Sequence, residues 1–321
     1  MKINTRITKL LNIKYPVIEG GMAWVGTPKL AAAVSNAGAL GTIGSGNMEP
    51  EILREKIREI KELTDKPFAV NIIMLNPHAE ELLEVVIEER VPIVIFGAGN
   101  PAPFVKELKA KNIKVLAVVS SDSLAIRLER VGVDAIIGEG MECGGHIGDV
   151  TTLILIQRLT DVLNVPVIAA GGIATGRAIA AMFALGAEGV QLGTAFIATH
   201  ECEAHDNYKK KVLKAGIRDT VITGGKLGHP ARVIKTPFSK KMLEMESNSP
   251  EEAEEMLVGS LKKAFLHGDV SQGSFMAGQS AGLIREIKSV EQLLKDLMKE
   301  THDSIEKLIK RFELQEKIAE A

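Results

Sequence analysis

The stretch Val167–Thr194, V-I-A-A-G-G-I-A-T-G-R-A-I-A-A-M-F-A-L-G-A-E-G-V-Q-L-G-T, decides the fold. It begins and ends on short β-rich runs, Val167–Ala170 and Gly189–Leu192, and each run leads into a glycine turn. Six further runs of this kind precede it: Pro16–Glu19, Leu40–Ile43, Phe68–Ile73, Ile93–Phe96, Lys114–Val119 and Ala135–Gly138. Most are apolar without alternation, as strands covered on both faces are. A spacing of about 25 residues, filled by helical patterns, suits strand–loop–helix units and a parallel sheet. The expected fold is therefore α/β, a closed (β/α)8 TIM barrel. An open doubly wound sheet is the alternative, because alternation alone does not prove closure.

Helix starts are marked where a capping side chain precedes a proline: Thr27-Pro28, Asn76-Pro77, Asn100-Pro101 and Ser249-Pro250. Proline's fixed φ suits the first helical position, where its missing N–H costs nothing. Ser249 with Glu252, and Ser289 with Gln292, have capping-box spacing. Ile52, Leu53, Ile57, Ile60 and Leu63 recur at helical spacing. The rhythm breaks after Ala198. Residues 199–248 read as polar and irregular and hold T-G-G-K-L-G-H-P-A-R. A capped helix is expected from Pro250 to His267, stopping at Gly268, and then an apolar return, G-S-F-M-A-G-Q-S-A-G-L. Ser289–Ala321 reads as a charged amphipathic helix or helix pair, packing on the barrel or on a second subunit. The expected division is a barrel of residues 1–198 and 271–288, a smaller substrate-side lid of 199–270, and a C-terminal helical extension of 289–321.

Composition narrows the function classes. The 321 residues are 45% hydrophobic and 25% charged, ordinary for a soluble globular protein with a large core. A net charge of −2 and only short basic runs argue against a nucleic-acid surface. No apolar run approaches the ~18 residues that span a bilayer, and M-K-I-N-T-R-I-T-K-L-L lacks the apolar core of a secretory signal. Two cysteines make no disulfide framework, so a reducing cytoplasm is expected.

In such a barrel the working groups lie at the carboxyl ends of the strands, with phosphate held after the seventh and eighth. A-A-G-G-I-A-T-G and L-G-T-A stand there. Gly171, Gly172 and Gly193 let backbone N–H groups approach an anion, Thr194 adds a hydroxyl, and the following helix adds its positive end. Asn71 and Gln279 could meet an edge carrying both donors and acceptors. Glu139 could accept hydrogen bonds from a polyol, and Gly20-Gly21-Met22-Ala23 offers bare backbone to a flat ring. A pyrimidine edge, a polyol and a terminal phosphate are the three parts of FMN. Each residue also has a plainer role: Asn71 tying two strands, Glu139 pairing with a cation.

Three other motifs compete. G-A-G-N-P-A at Gly97–Ala102, with Asp122 further on, matches a dinucleotide pattern, but Asn100-Pro101 explains its end as a helix cap. Cys143–His146 and Cys202–His205 have C-x2-H spacing, yet they follow different strands, and no metal site is expected. Cys143 activated by His146 lacks a third, orienting group.

With G-G-M-A-W-V, G-A-G-N-P, E-G-M-E-C-G-G-H-I-G, A-A-G-G-I-A and F-M-A-G-Q in hand, the chain resembles flavin-dependent enoyl-acyl-carrier-protein reductase of type II from about Thr5 to Leu283. The related nitronate monooxygenases, formerly 2-nitropropane dioxygenases, share the barrel, the FMN site and the G-G-H-x-G loop. The resemblance implies that FMN is held by Gly21, Met22, Ala23, Gly44, Asn71, Glu139, Gly144, Gly145, Gly171, Gly172, Gly193 and Thr194. Met276, Gly278 and Gln279 would close over it, with His146 facing the flavin. It also implies NADH or NADPH as reductant, a monovalent cation as a possible stimulant, and a homodimer. Reduction of a trans-2-enoyl thioester on acyl-carrier protein, in fatty-acid synthesis, is the expected reaction. Oxidation of a nitroalkane or nitronate with oxygen is the alternative, and a flavin-binding protein without turnover is a third. Lys226, Arg232 and Lys235 could meet an acidic carrier, or simply be solvated surface charge. An imidazole that donates or accepts a proton near neutral pH suits His146 to either chemistry.

Overall fold

The computed structural model describes residues 3–46 and 48–319. Nine short strands come first: β1 (Val17–Glu19), β2 (Gly41–Gly44), β3 (Phe68–Ile73), β4 (Ile93–Gly97), β5 (Lys114–Val119), β6 (Ala135–Glu139), β7 (Gly145–His146), β8 (Val167–Ala170) and β9 (Gly189–Leu192). All but β7 form one parallel sheet in the order β1-β9-β8-β6-β5-β4-β3-β2. The two ends meet through a parallel bridge between Ile18 and Leu40. Leu40 N–H donates to the Val17 carbonyl at 2.9 Å and Glu19 N–H to the Leu40 carbonyl at 2.8 Å, which closes the barrel. Beyond the bridge a side chain continues the seam: Thr42 N–H donates to the Glu19 carboxyl at 3.1 Å. Glu19 is fully buried, so desolvation pushes its pKa well above the usual carboxylate range, and the Thr42 bond offsets only part of that.

The barrel interior is layered by chemistry. Ile18, Leu40, Ala69, Ile93, Ile95, Leu116, Ile137 and Ile168 fill the amino-terminal part, together with Ile7 and Leu11 from the helix Arg6–Leu11. That helix seals the bottom, where Arg6 pairs with Glu188 and donates to the Asn164 carbonyl. Asn71, Glu139 and Gln191 stand within two residues of the carboxyl ends of their strands, so polar groups gather at the top.

The helix starts are only partly where the cap residues place them. Thr27 accepts the Leu30 N–H and caps Pro28–Asn36, as its spacing predicts. Asn76 instead accepts the His78 N–H and holds the Gly46 and Met48 carbonyls, so the helix begins at Ala79. Asn100 accepts the Ala102 N–H in a similar local turn. Ser249 makes no side-chain cap, and its box with Glu252 does not form. Ser289 accepts the Gln292 N–H, but the Gln292 side chain turns to Asp296, leaving a half box.

Residues 199–248 are more ordered than their polarity predicts. They hold the helix Asp206–Lys214, strands β10 (Thr220–Thr223) and β11 (Ala231–Ile234), and the helix Pro237–Asn248. The single helix expected from Pro250 to His267 is two, Pro250–Leu257 and Ser260–His267, because Gly259 sits at φ +70°. Gly268 ends the second in the left-handed region, as expected. The C-terminal segment is one helix, Val290–Ala319, whose buried Leu294, Leu297, Met298 and Thr301 lie along the face nearest the barrel helix Gly176–Ala184. Among the described residues no helix is long and apolar enough to cross a membrane.

Closure depends on backbone contacts that leave no space for a side chain. A Cβ at Gly41 would fall 1.8 Å from the Ala31 carbonyl oxygen of the packed helix. Gly41→Ala is therefore expected to lower the unfolding free energy by about 3 kcal/mol, read as a shift in the urea midpoint.

Candidate active site

The top of the barrel is shaped by two glycine turns on neighbouring strands. After β8, Gly171 and Gly172 have φ values of +96° and +73°, a region that favours glycine. After β9, Gly193 leads into the short helix Thr194–Ile197. The N–H groups of Gly172, Gly193 and Thr194 find no protein acceptor among the described residues. Unpartnered donors on adjacent turns make a ready anion site. The Thr194 hydroxyl accepts the Gly278 N–H at 2.9 Å, which ties this turn to the return segment.

On the opposite side, Gly21, Met22 and Ala23 follow β1. Cβ atoms at Gly44 and at Gly21 would fall 2.3 Å from the Met22 carbonyl oxygen and 2.2 Å from the Asn71 side chain. The Asn71 amide donates to the Ile95 carbonyl at 3.0 Å, so it does tie two strands, and its carbonyl oxygen is what remains for a ligand. Gln191 points into the barrel with its Oε1 buried, and among the described residues it, Ser45 Oγ and Glu19 Oε1 have no hydrogen-bond partner. None of these three was singled out from the sequence, because polar residues in short strands give no local signal.

The glycine loop after β6 is held from three directions. Glu142 accepts the N–H and hydroxyl of Thr152, whose hydroxyl oxygen also lies 3.3 and 3.1 Å from the Ala170 and Gly171 carbonyls. Gln279 N–H donates to the Glu142 carbonyl at 3.0 Å, and a Cβ at Gly144 would fall 2.6 Å from the Gly278 nitrogen. Arg232 Nε and Nη2 grip the Met141 carbonyl at 3.1 and 2.9 Å. Arg232 is only 5% exposed, so it is not the surface group for an acidic carrier that its charge proposes. Lys226 and Lys235 are spent on Ser247 and on the Arg218 carbonyl.

This grip presents His146. Gly145 and His146 form β7, which pairs antiparallel with β11 in a second sheet, β10-β11-β7. Val233 bridges Met276, the Tyr208 hydroxyl donates to the Met276 carbonyl at 2.6 Å, and a Cβ at Gly145 would meet the Met276 sulfur at 3.5 Å. His146 keeps solvent access, yet its crowded surroundings hold its pKa below the ordinary imidazole value. Burial is the main cause, and repulsion from His229 adds to it. His229 was not read from the sequence; its ring accepts or donates at 2.7 Å to Glu254.

The competing motifs dissolve. Cys143 is buried, donates to the His146 backbone carbonyl rather than to its ring, and has its thiol pKa raised by burial and by Glu139. Among the described residues no group of His, Cys, Asp and Glu is placed to hold a metal. Asp122 is paired with Arg158 at 2.8 Å, and Ala98 and Gly99 turn at φ +46° and +139° into the Asn100 cap rather than into a phosphate cradle.

A closed parallel barrel with donor-rich turns after its last two strands and an imidazole at its mouth is the frame of a flavin-dependent oxidoreductase. The chain belongs to the nitronate monooxygenase family, whose model matches residues 4–83 and 80–300. A probable nitronate monooxygenase of Staphylococcus saprophyticus is 36% identical, the match covering 94% of this chain and 99% of that one. The solved structure of FabK from Thermotoga maritima is 58% identical, with a TM-score of 0.96 over 97% of this chain and 100% of that chain. That of a nitroalkane oxidase from Streptomyces ansochromogenes is 28% identical, with a TM-score of 0.84 over 94% and 99%.

Glu139, at the end of β6, offers a pH test. Burial pushes its pKa up to about 7, and the neighbouring Cys143 thiol offsets part of that rise. A carboxyl raised in the folded state binds its proton more tightly there than in the unfolded chain. Stability of the ligand-free protein should thus fall as pH rises from about 4.5 to about 7 and level off above. Glu139→Gln is expected to flatten that slope in urea titrations across the same range.

Proposed function

We propose that the chain reduces trans-2-enoyl thioesters carried on acyl-carrier protein, with NADH or NADPH as electron source and FMN as cofactor. What supports this reading most is the likeness to FabK, an enoyl-acyl-carrier-protein reductase of type II, at 58% identity along nearly the whole chain.

The residues present fit FMN. The free N–H groups of Gly172, Gly193 and Thr194 would take its phosphate, with the Gly171 turn shaping the approach. Glu139, largely protonated or ionised according to a pKa near 7, could bond a polyol in either role. The Asn71 carbonyl and Gln191 would meet the ring edge, and the backbone of Gly21, Met22 and Ala23, close to Gly44, would lie along its face. Gly144, Gly145, Met276, Gly278 and Gln279 would cover the opposite side. When bound, FMN supplies hydride transfer between the nicotinamide and the β-carbon of the enoyl group.

The protein's own part is orientation and proton handling. His146 stands on β7 over the mouth, fixed by Arg232 behind its loop and by β11 beside it. There it would hydrogen-bond the thioester carbonyl or deliver the proton to the α-carbon. The residues 199–270 would form the wall along which the acyl chain lies, and a homodimer is the proposed assembly.

A second reading, nitroalkane or nitronate oxidation with oxygen, draws on His146 itself. An imidazole held below its ordinary pKa is neutral at pH 7 and ready to accept a proton. Anaerobic stopped-flow mixing separates the two. Rapid bleaching of the flavin absorbance by NADH or NADPH, with reoxidation by an enoyl thioester, is the expected result. Bleaching by nitronate alone would establish the second reading. His146→Ala is expected to lower enoyl-dependent turnover by about 10²–10⁴-fold.

A further inference from the structure

The loop after β1 carries one side chain that neither packing nor the chemistry above explains. Trp24 directly follows the Gly21–Ala23 backbone, and its φ is +66°, a left-handed conformation that bulky side chains rarely adopt. The surrounding backbone imposes it. Gly26 N–H donates to the Met22 carbonyl at 2.8 Å and Gly44 N–H to the Gly26 carbonyl at 3.0 Å. A Cβ at Gly26 would fall 2.8 Å from the Thr42 carbonyl oxygen, so the turn has no room to relax. Glycine would suit such a turn. The chain places its only tryptophan there instead, 42% exposed. Backbone strain that burial does not reward is a feature of ligand clamps.

Two residues of the helix Ser260–His267 meet the indole. Phe265, itself buried, lies 6.5 Å away between ring centroids at an interplanar angle of 38°. Lys262 Nζ stands over the Trp24 ring, 5.3 Å from its centroid, within cation–π range. That helix is set independently of Trp24, since His205 N–H donates to the Phe265 carbonyl at 2.9 Å and Ser274 N–H to the Ser260 carbonyl at 3.1 Å. Lys263 is held by the Gln272 side-chain oxygen, but Lys262 meets no carboxylate among the described residues.

We propose that Trp24 and Lys262 form the subsite for the adenosine diphosphate end of the nicotinamide dinucleotide. The purine would stack on the indole, and Lys262, on its flexible stem, would move from the ring to the diphosphate. Ala23 alone separates Trp24 from Met22, so the indole borders the face along which the flavin ring would lie. A flat face paired with one cation does not fit the other ligand of the site. An acyl chain has no use for the ammonium, and a pantetheine phosphate has no ring to stack. The identity of the dinucleotide rests on the reductant proposed above.

Because Trp24 is the only tryptophan, the indole emission of the FMN-loaded protein reads this one residue. Titration with ADP-ribose, which carries the adenine and the diphosphate but no nicotinamide, is expected to change that emission saturably. An enoyl thioester of N-acetylcysteamine should leave it unchanged. By calorimetry, Trp24→Leu should raise the Kd of ADP-ribose about 10-fold and Lys262→Gln about 3-fold. Should Trp24→Leu not fold, the wild-type titration and Lys262→Gln decide. An emission unmoved by millimolar ADP-ribose would overturn the proposal, as would folded variants that bind ADP-ribose like the wild type. A change produced by the thioester alone would also overturn it, by giving the indole to the acyl arm. A protein whose Trp24 answers ADP-ribose but which reduces no enoyl thioester keeps this subsite and loses the proposed reaction. One that reduces enoyl thioesters while Trp24 stays silent loses only the subsite.

Discussion

The site depends on one close approach: the backbone of the loop after β6 lies directly on the backbone of the return segment. Gly144 and Gly278 permit it, since a Cβ on either would fall 2.6 Å from backbone atoms of the other strand of chain. Two hydrogen bonds lock it, Gln279 N–H to the Glu142 carbonyl and Gly278 N–H to the Thr194 hydroxyl. These join the ends of two barrel strands, β6 and β9, to a segment more than 80 residues further along the chain. Everything at the mouth inherits its position from that contact. The anion-ready turns, the Met276 bridge to β11 and the strand that carries His146 all hang from it.

The glycines serve two separate physical ends. At Gly171 and Gly172 the need is for φ values that side chains rarely adopt, so that N–H groups turn toward the mouth. At Gly144 and Gly278 φ is ordinary, and the need is for space. Polar burial is arranged with equal economy. Arg232 spends its guanidinium on carbonyl and hydroxyl oxygens, and Glu19 stitches the barrel seam as a carboxyl whose burial disfavours the charged form. Among the described residues neither group has a carboxylate or cation partner, so each is costly to bury.

Much of this was legible in the sequence. Each of the eight barrel strands lies within one residue of its expected ends, because strands covered on both faces carry a continuous apolar signal. The glycine turns after the last two strands, Asn71, Glu139 and His146 also fell where the barrel places them. What failed was local in kind. Asn76 and Asn100 make turns of their own rather than cap the next helix, and Gly259 breaks a helix whose periodicity runs on through it. What was missed was long-range. A strand of two residues, β7, has no pattern to read, and the pairing that gives it meaning comes from Ala231 and Arg232, some 85 residues away. Gln191, His229 and Arg232 acquire their roles only through such contacts.

The central physical claim is that two adjacent turns hold the phosphate of FMN while His146 faces the ring from the far side. A crystal structure of the protein soaked with FMN tests it most directly. The expected density shows phosphate within hydrogen-bond distance of Gly172, Gly193 and Thr194, the ring along Gly21–Ala23, and the His146 imidazole across from it. Density for FMN elsewhere on the surface, or a ring with His146 turned out into solvent, would contradict it.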